Sequence, residues 1–249
     1  MDKITTENLP LDPKAEECST CPIDSEIADI SSIEDEMLAD ELCKQFRLKN
    51  TALIIHGFAV AHGCTTLVLG SGADTPFLTA ETIGMLYSVF KANNYTTNLP
   101  LHLIASTLGS VIAGKIVTSA IGTAARVLIP GPGEVVDRAI NIPATMLTTE
   151  ILGWAAFAIL SFSDNNPILD KIINKKELSA EEQKLIKTTA NIYKKKYGKQ
   201  GKELYKKMSK ADKDSFKKLI KKIQSKENDD NMSMQISDEI LELISKYVK

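Results

Sequence analysis

From Asn50 to Ala73 the chain runs 24 residues without a single Asp, Glu, Lys or Arg. A charge-free run of that length has two physical outcomes. It can cross a bilayer, for which about 20 apolar residues suffice, or it can belong to a soluble bundle whose apolar faces form the core. His56, His62 and several Gly and Thr residues dilute its hydropathy. No alternation of period two competes with the helical reading anywhere in residues 51–162.

Charge is distributed in three parts around this run. Residues 1–50 carry 13 acidic and 5 basic side chains, residues 51–162 carry 5 and 4, and residues 163–249 carry 14 and 21. An acidic head therefore precedes an apolar middle, and a Lys-rich tail follows. The whole chain nets only −2, so no overall basic bias points to nucleic acid. The segment boundaries suggest an acidic, disordered head at 1–30, an apolar helical domain at 31–162 and a Lys-rich helical tail at 163–249.

Residues 1–30 have too few large apolar side chains to build a core. Ser32 with Asp35 three residues on is a variant capping box. It predicts a helix from about Ile33 to Lys49, with Ile33, Met37, Leu38, Leu42 and Phe46 on the face that packs against the middle. Cys18 and Cys21 form a CxxC. A structural zinc needs two further ligands at suitable spacing, and neither Cys43 nor the histidines supply them. The expectation is thiols, no metal and no cofactor, in a reducing compartment. The first apolar run begins near Ala52, too late for a cleavable signal, which leads to the expectation of a cytoplasmic protein.

The middle reads as four helical segments. The second spans about Pro76–Asn93. The third, about Leu99–Ile129, repeats small residues every fourth position: Ala105, Gly109 and Ala113 in one row, Ser106, Ser110 and Gly114 in the next. Small-xxx-small rows let helix backbones approach closely. This face is expected to make the tightest helix–helix contact, against the fourth segment. Pro130-Gly131-Pro132-Gly133 stops the third helix. The fourth runs from about Glu134 to Phe162, with Pro143 expected to kink it or to start its second half. Lys115 and Glu150 argue against full membrane spanning, because each would cost roughly 2.5–3.5 kcal/mol at the centre of a spanning helix unless paired; helical hairpins that insert partly, or a bundle that opens onto a membrane, fit better.

In the tail, Ser179-Ala180-Glu181-Glu182 is a capping box that opens a helix to about Tyr197, and Gly198 and Gly201 are expected to interrupt it. Ser209 caps the next helix. There Phe216, Leu219, Ile220 and Ile223 line one side, and Lys217, Lys218, Lys221 and Lys222 the other. A last helix carries Ile236, Ile240, Leu243, Ile244, Tyr247 and Val248 on one face. Such amphipathic helices pack on something. The basic face suits an anionic lipid surface or the acidic head of the same chain. With no Arg and few interleaved aromatics it does not suit base reading, so nucleic acid is not an expected partner.

Motifs for catalysis fail on inspection. Gly70-Ser71-Gly72-Ala73-Asp74-Thr75 places Thr75 where a dinucleotide loop has its last glycine, and Pro76 stands where a Walker loop needs Lys. There is no GxSxG and no HExxH. The chain is not expected to be an enzyme.

Ala59-Val60-Ala61-His62-Gly63, then Gly72-Ala73-Asp74-Thr75-Pro76-Phe77-Leu78-Thr79, then Met85-Leu86-Tyr87, and finally Ile129-Pro130-Gly131-Pro132-Gly133 after a Gly/Ala-rich helix, follow one another in residues 52–162. In this order they resemble the YcjF-like domain, a helical domain of unknown function that follows the GTPase module of some bacterial Era-like GTPases and occurs alone in small membrane-associated proteins. The resemblance covers under half the chain. It implies helical hairpins and association with the inner membrane, and it brings no catalytic residues. These readings lead to an all-α protein: a hydrophobic four-helix hairpin bundle with an acidic head and an amphipathic Lys-rich helical tail. Two functions stay open. One is a bacterial, membrane-associating protein that scaffolds or oligomerises at the inner face of the cell membrane. The other is a soluble regulatory module that binds a protein partner such as a GTPase in trans.

Overall fold

A computed structural model describes residues 33–69, 80–95, 99–112, 134–162, 167–225 and 230–248. The protein is all-α. Its helices are α1 (Ile33–Leu69), α2 (Ala80–Ala92), α3 (101–112), α4 (Glu134–Leu160), α5 (Pro167–Ile173), α6 (Ala180–Lys207), α7 (Lys210–Ser225) and α8 (Asp230–Ser245). The chain divides into two compact units, Met1–Cys43 and Lys44–Lys249. The described part of the first is the opening of α1, where Asp40, Glu41 and Leu42 are exposed. The small-residue positions Ala113 and Gly114, the CxxC, the Gly70–Thr79 loop, Lys115 and the Pro130–Gly133 turn lie outside the described residues.

The second unit is built around stretches of three helices that are buried on all sides. Every residue is buried from Thr51 to Ala59 in α1, from Glu81 to Phe90 in α2 and from Ile151 to Leu160 in α4. A helix with no hydrophilic stripe is stable only where neighbours cover its whole circumference. The neighbours come from the tail. α6 packs on α4; α7 packs on α2 and α8; α8 packs on α2. α7 also reaches α1, where Phe216 meets Phe58 edge to face at 5.8 Å. The apolar faces read in the tail helices thus cover the apolar middle. Phe216, Ile220, Ile223, Ile236, Ile240 and Ile244 are all at most 2% exposed.

Local chemistry explains where the outer helices start. Ser179 Oγ accepts the Glu182 N–H at 3.2 Å, and the Ser179 N–H donates back to Glu182 Oε2 at 2.8 Å, the reciprocal box expected there. Lys171 Nζ adds an ion pair to Glu182 Oε1 at 2.6 Å, and this pair with the Ser179 N–H holds the carboxyl below its ordinary range. At α7, Ser209 Oγ accepts the Asp212 N–H at 3.1 Å and donates to Asp212 Oδ2 at 2.6 Å. The Tyr247 hydroxyl accepts the Ser209 N–H at 3.1 Å and donates to Asp212 Oδ2, tying the segment after α8 to the start of α7.

Three boundaries differ from expectation. α1 does not end at Lys49 but continues through Asn50 to Leu69. α4 passes through Pro143 as a single helix. α6 runs through both Gly198 and Gly201 to Lys207. The last has a clear physical reason. A Cβ placed on Gly201 would lie 2.2 Å from the Ala52 carbonyl oxygen, so the glycine lets the backbones of α6 and α1 touch. A close backbone approach thus joins the first apolar helix to the tail.

Candidate functional site

Two histidines of α1 carry the polar chemistry of this core. His62 is 7% exposed and sits between α2 and α4. Its Nδ1 lies 3.0 Å from Thr149 Oγ1, and its Nε2 lies 3.0 Å from Glu81 Oε2. The hydroxyl of Thr149 donates its one proton to the Thr145 carbonyl at 2.9 Å. It must therefore accept from the imidazole, which fixes the proton on Nδ1. Nε2 faces Glu81 Oε2 on the other side of the ring, which links α1 to α2. Burial pushes the His62 pKa down to about 4, so the ring resists taking up a second proton. The result is a chain of hydrogen bonds, Glu81–His62–Thr149–Thr145 O, joining three helices.

Six residues earlier on α1, His56 Nδ1 lies 3.0 Å from Glu150 Oε1 on α4. The other carboxylate oxygen, Oε2, lies 3.9 Å from Lys194 Nζ on α6. The His56 ring stands edge-on to Tyr205 of α6 at 5.6 Å. Burial lowers the Lys194 pKa, and Glu150 partly restores it. The acidic side chain that made a spanning α4 expensive thus has its partners inside the protein. Alongside, Trp154 of α4 stacks with Tyr193 and Tyr197 of α6 at 6.4 and 6.3 Å.

The carboxylate–imidazole–hydroxyl order of the first cluster has the form of a nucleophile triad, but the Thr149 hydroxyl is buried and its proton is committed to a helix carbonyl. As placed, the cluster can hold and relocate a proton and can cross-link helices. Neither cluster was singled out from the sequence. The signal was nonetheless present: residues 51–162 hold five acidic residues, and two of them, Glu81 and Glu150, meet the two histidines of the charge-free run.

The residues singled out from the sequence lie elsewhere. Ala105 and Gly109 are buried on the inner side of α3, whereas Ser106 and Ser110 are exposed, one residue and hence about 100° further round. Ser106 and Ser110, with Thr107, Lys175, Lys176 and Gln183, line an open groove of about 710 Å³ between α3 and the turn from α5 to α6. On α7, Lys218, Lys221 and Lys222 are exposed and Lys217 is half-buried. Lys222 Nζ lies 3.8 Å from Glu239 of α8. These four are part of a wider excess of lysine in the tail. Helices α6 and α7 together carry fifteen lysines, no arginine and five acidic residues.

No family model, curated protein or solved structure matches this chain. Among the described residues, no helix is long and apolar enough to cross a membrane, and no group of three His, Cys, Asp or Glu side chains is placed to hold a metal ion.

Proposed function

We propose that this is a non-enzymatic helical protein that attaches to an anionic membrane surface from the cytoplasmic side, through the Lys-rich outer faces of α6 and α7, and scaffolds or oligomerises there. The observation that carries this reading is the division of the tail. Its apolar side chains cover α1, α2 and α4, while its lysines are turned outward on two consecutive helices. The apolar middle is then core, and membrane contact is peripheral, made by charge. Each lysine near an anionic surface contributes about 1 kcal/mol, screened within a Debye length. The likeness of residues 52–162 to the YcjF-like domain of bacterial proteins agrees with a membrane setting. Non-enzymatic action is supported by the Thr149 hydroxyl, whose proton is committed to the backbone.

Sedimentation with vesicles tests the reading. The protein is expected to pellet with phosphatidylcholine vesicles containing phosphatidylglycerol, to stay in the supernatant with phosphatidylcholine alone, and to be released by high salt. Binding to both vesicle types, or to neither, refutes it.

The groove beside Ser106 and Ser110 favours a second reading, a soluble module that binds a protein partner such as a GTPase in trans. It predicts recovery of the protein in the soluble fraction at low salt, and a complex that survives the high salt at which charge-driven lipid binding fails.

A further inference from the structure

We infer that α6 does more than present charge: Leu185 and Ile192 enter the lipid headgroup layer as a pair of apolar anchors, with the neighbouring lysines on anionic headgroups. This rests on the lipid-facing reading of the lysine surface and specifies how that surface is held. Among the described residues only three large hydrophobic side chains are exposed. Two are these, at 47% and 56%. They lie seven residues apart, two turns of one helix, so both project from the same outward face about 10 Å apart. The opposite face of α6 is occupied, with Ile186, Ala190, Gly201 and Tyr205 buried in the protein. The outward pair is therefore not a spare part of the core stripe.

The surroundings decide the occupant. Lys184, Lys195, Lys196, Lys199 and Lys202 are exposed around the pair. Lysine stems are apolar and long enough to follow the anchors inward while the ammonium groups stay at headgroup level. A protein partner is a poor match, since two side chains supply little of the roughly 800 Å² per partner that a stable interface buries. A nucleic acid is a poor match as well. The basic side chains are all Lys, lacking the forked guanidinium that grips phosphate in two places. The nearby rings of Tyr193 and Tyr197 are already stacked on Trp154, so they are not free to receive bases.

The test uses the full chain with Ile192→Trp as reporter. The natural Trp154 is 1% exposed, so a new signal reports position 192. Phosphatidylcholine vesicles containing phosphatidylglycerol are expected to shift its emission to the blue, and vesicles with brominated acyl chains to quench it. The Leu185→Ser/Ile192→Ser double variant, at exposed positions and with circular dichroism confirming its fold, is expected to bind these vesicles on the order of tenfold more weakly. If Ile192→Trp pellets with the vesicles without shift or quenching, and the double variant binds as tightly as the parent, the anchors are refuted while charge-driven attachment stands. If nothing pellets, both fall. If the variant chain releases vesicles for duplex DNA, the lipid assignment is overturned.

Discussion

Gly198 and Gly201 sit one turn apart on α6, and the structure assigns them opposite effects on substitution by alanine. In a helix interior, Gly→Ala gains about 1 kcal/mol from backbone entropy alone. At Gly198 nothing opposes that gain. The added Cβ would meet Lys194 Cγ at 3.6 Å and Trp154 Nε1 at 4.0 Å, ordinary contacts. At Gly201 the Cβ would lie 2.2 Å from the Ala52 carbonyl oxygen and 2.7 Å from its carbon. Both are backbone atoms of a helix buried on every side, so neither can swing away. To restore a 3 Å approach, α6 and α1 must separate by about 0.8 Å, which opens the contact along its length. Overpacking of this kind costs about 1–3 kcal/mol, or more where backbone is the obstacle, and outweighs the propensity gain. At about 2–4 °C per kcal/mol for a chain of this size, Gly198→Ala should melt a few degrees above the parent and Gly201→Ala several degrees below. Thermal melts followed by circular dichroism read both. If Gly201→Ala melts at or above Gly198→Ala, the helices are not in backbone contact at this point.

Two further outcomes follow from the buried groups. The His62 pKa of about 4 lies below the ordinary 6.5, so the unfolded chain takes up the proton first. This contribution is complete above about pH 6.5 and is lost as pH falls toward 4, to the extent of about 3 kcal/mol. Urea melts at pH 7 and pH 4.5 should show the loss in the parent, and it should be much smaller in His62→Gln; equal pH dependence in the two would disprove the assignment. On α3, Gly109→Leu should destabilise by roughly 1–3 kcal/mol because Gly109 is buried, while Lys218→Leu at an exposed position of α7 should stay within about 0.5 kcal/mol. Matching melts for the two would show that the inner face of α3 has room.

Local signals were legible where one residue or one turn decides the outcome. The box at Ser179 and Glu182 and the cap at Ser209 appear as read, because a cap depends only on the three or four residues beside it. The all-α class was legible for the same reason, since helical spacing repeats within each segment. What could not be read locally was set by distant partners. Gly201 looks like a helix breaker until Ala52, far earlier in the chain, is brought against it. His62 looks like a diluting residue in an apolar run until α2 and α4 deliver Glu81 and Thr149. Lys49 and Asn50 look like a helix end, yet nothing in them halts α1. The all-round burial of the central stretches of α1, α2 and α4 could not be read locally, because the covering faces lie in another part of the sequence.

That arrangement gives the protein a directional vulnerability during synthesis. The helices that need covering are made first, and those that cover them lie in residues 163–249. At about 5–20 residues per second, roughly 4–17 s separate the emergence of α4 from the completion of α8. Until α8 is complete, the cover over α2 is unfinished and apolar surface stays on display. A ribosome that stalls within the tail, or a frameshift there, releases a hydrophobic fragment, a natural client for chaperones and proteases.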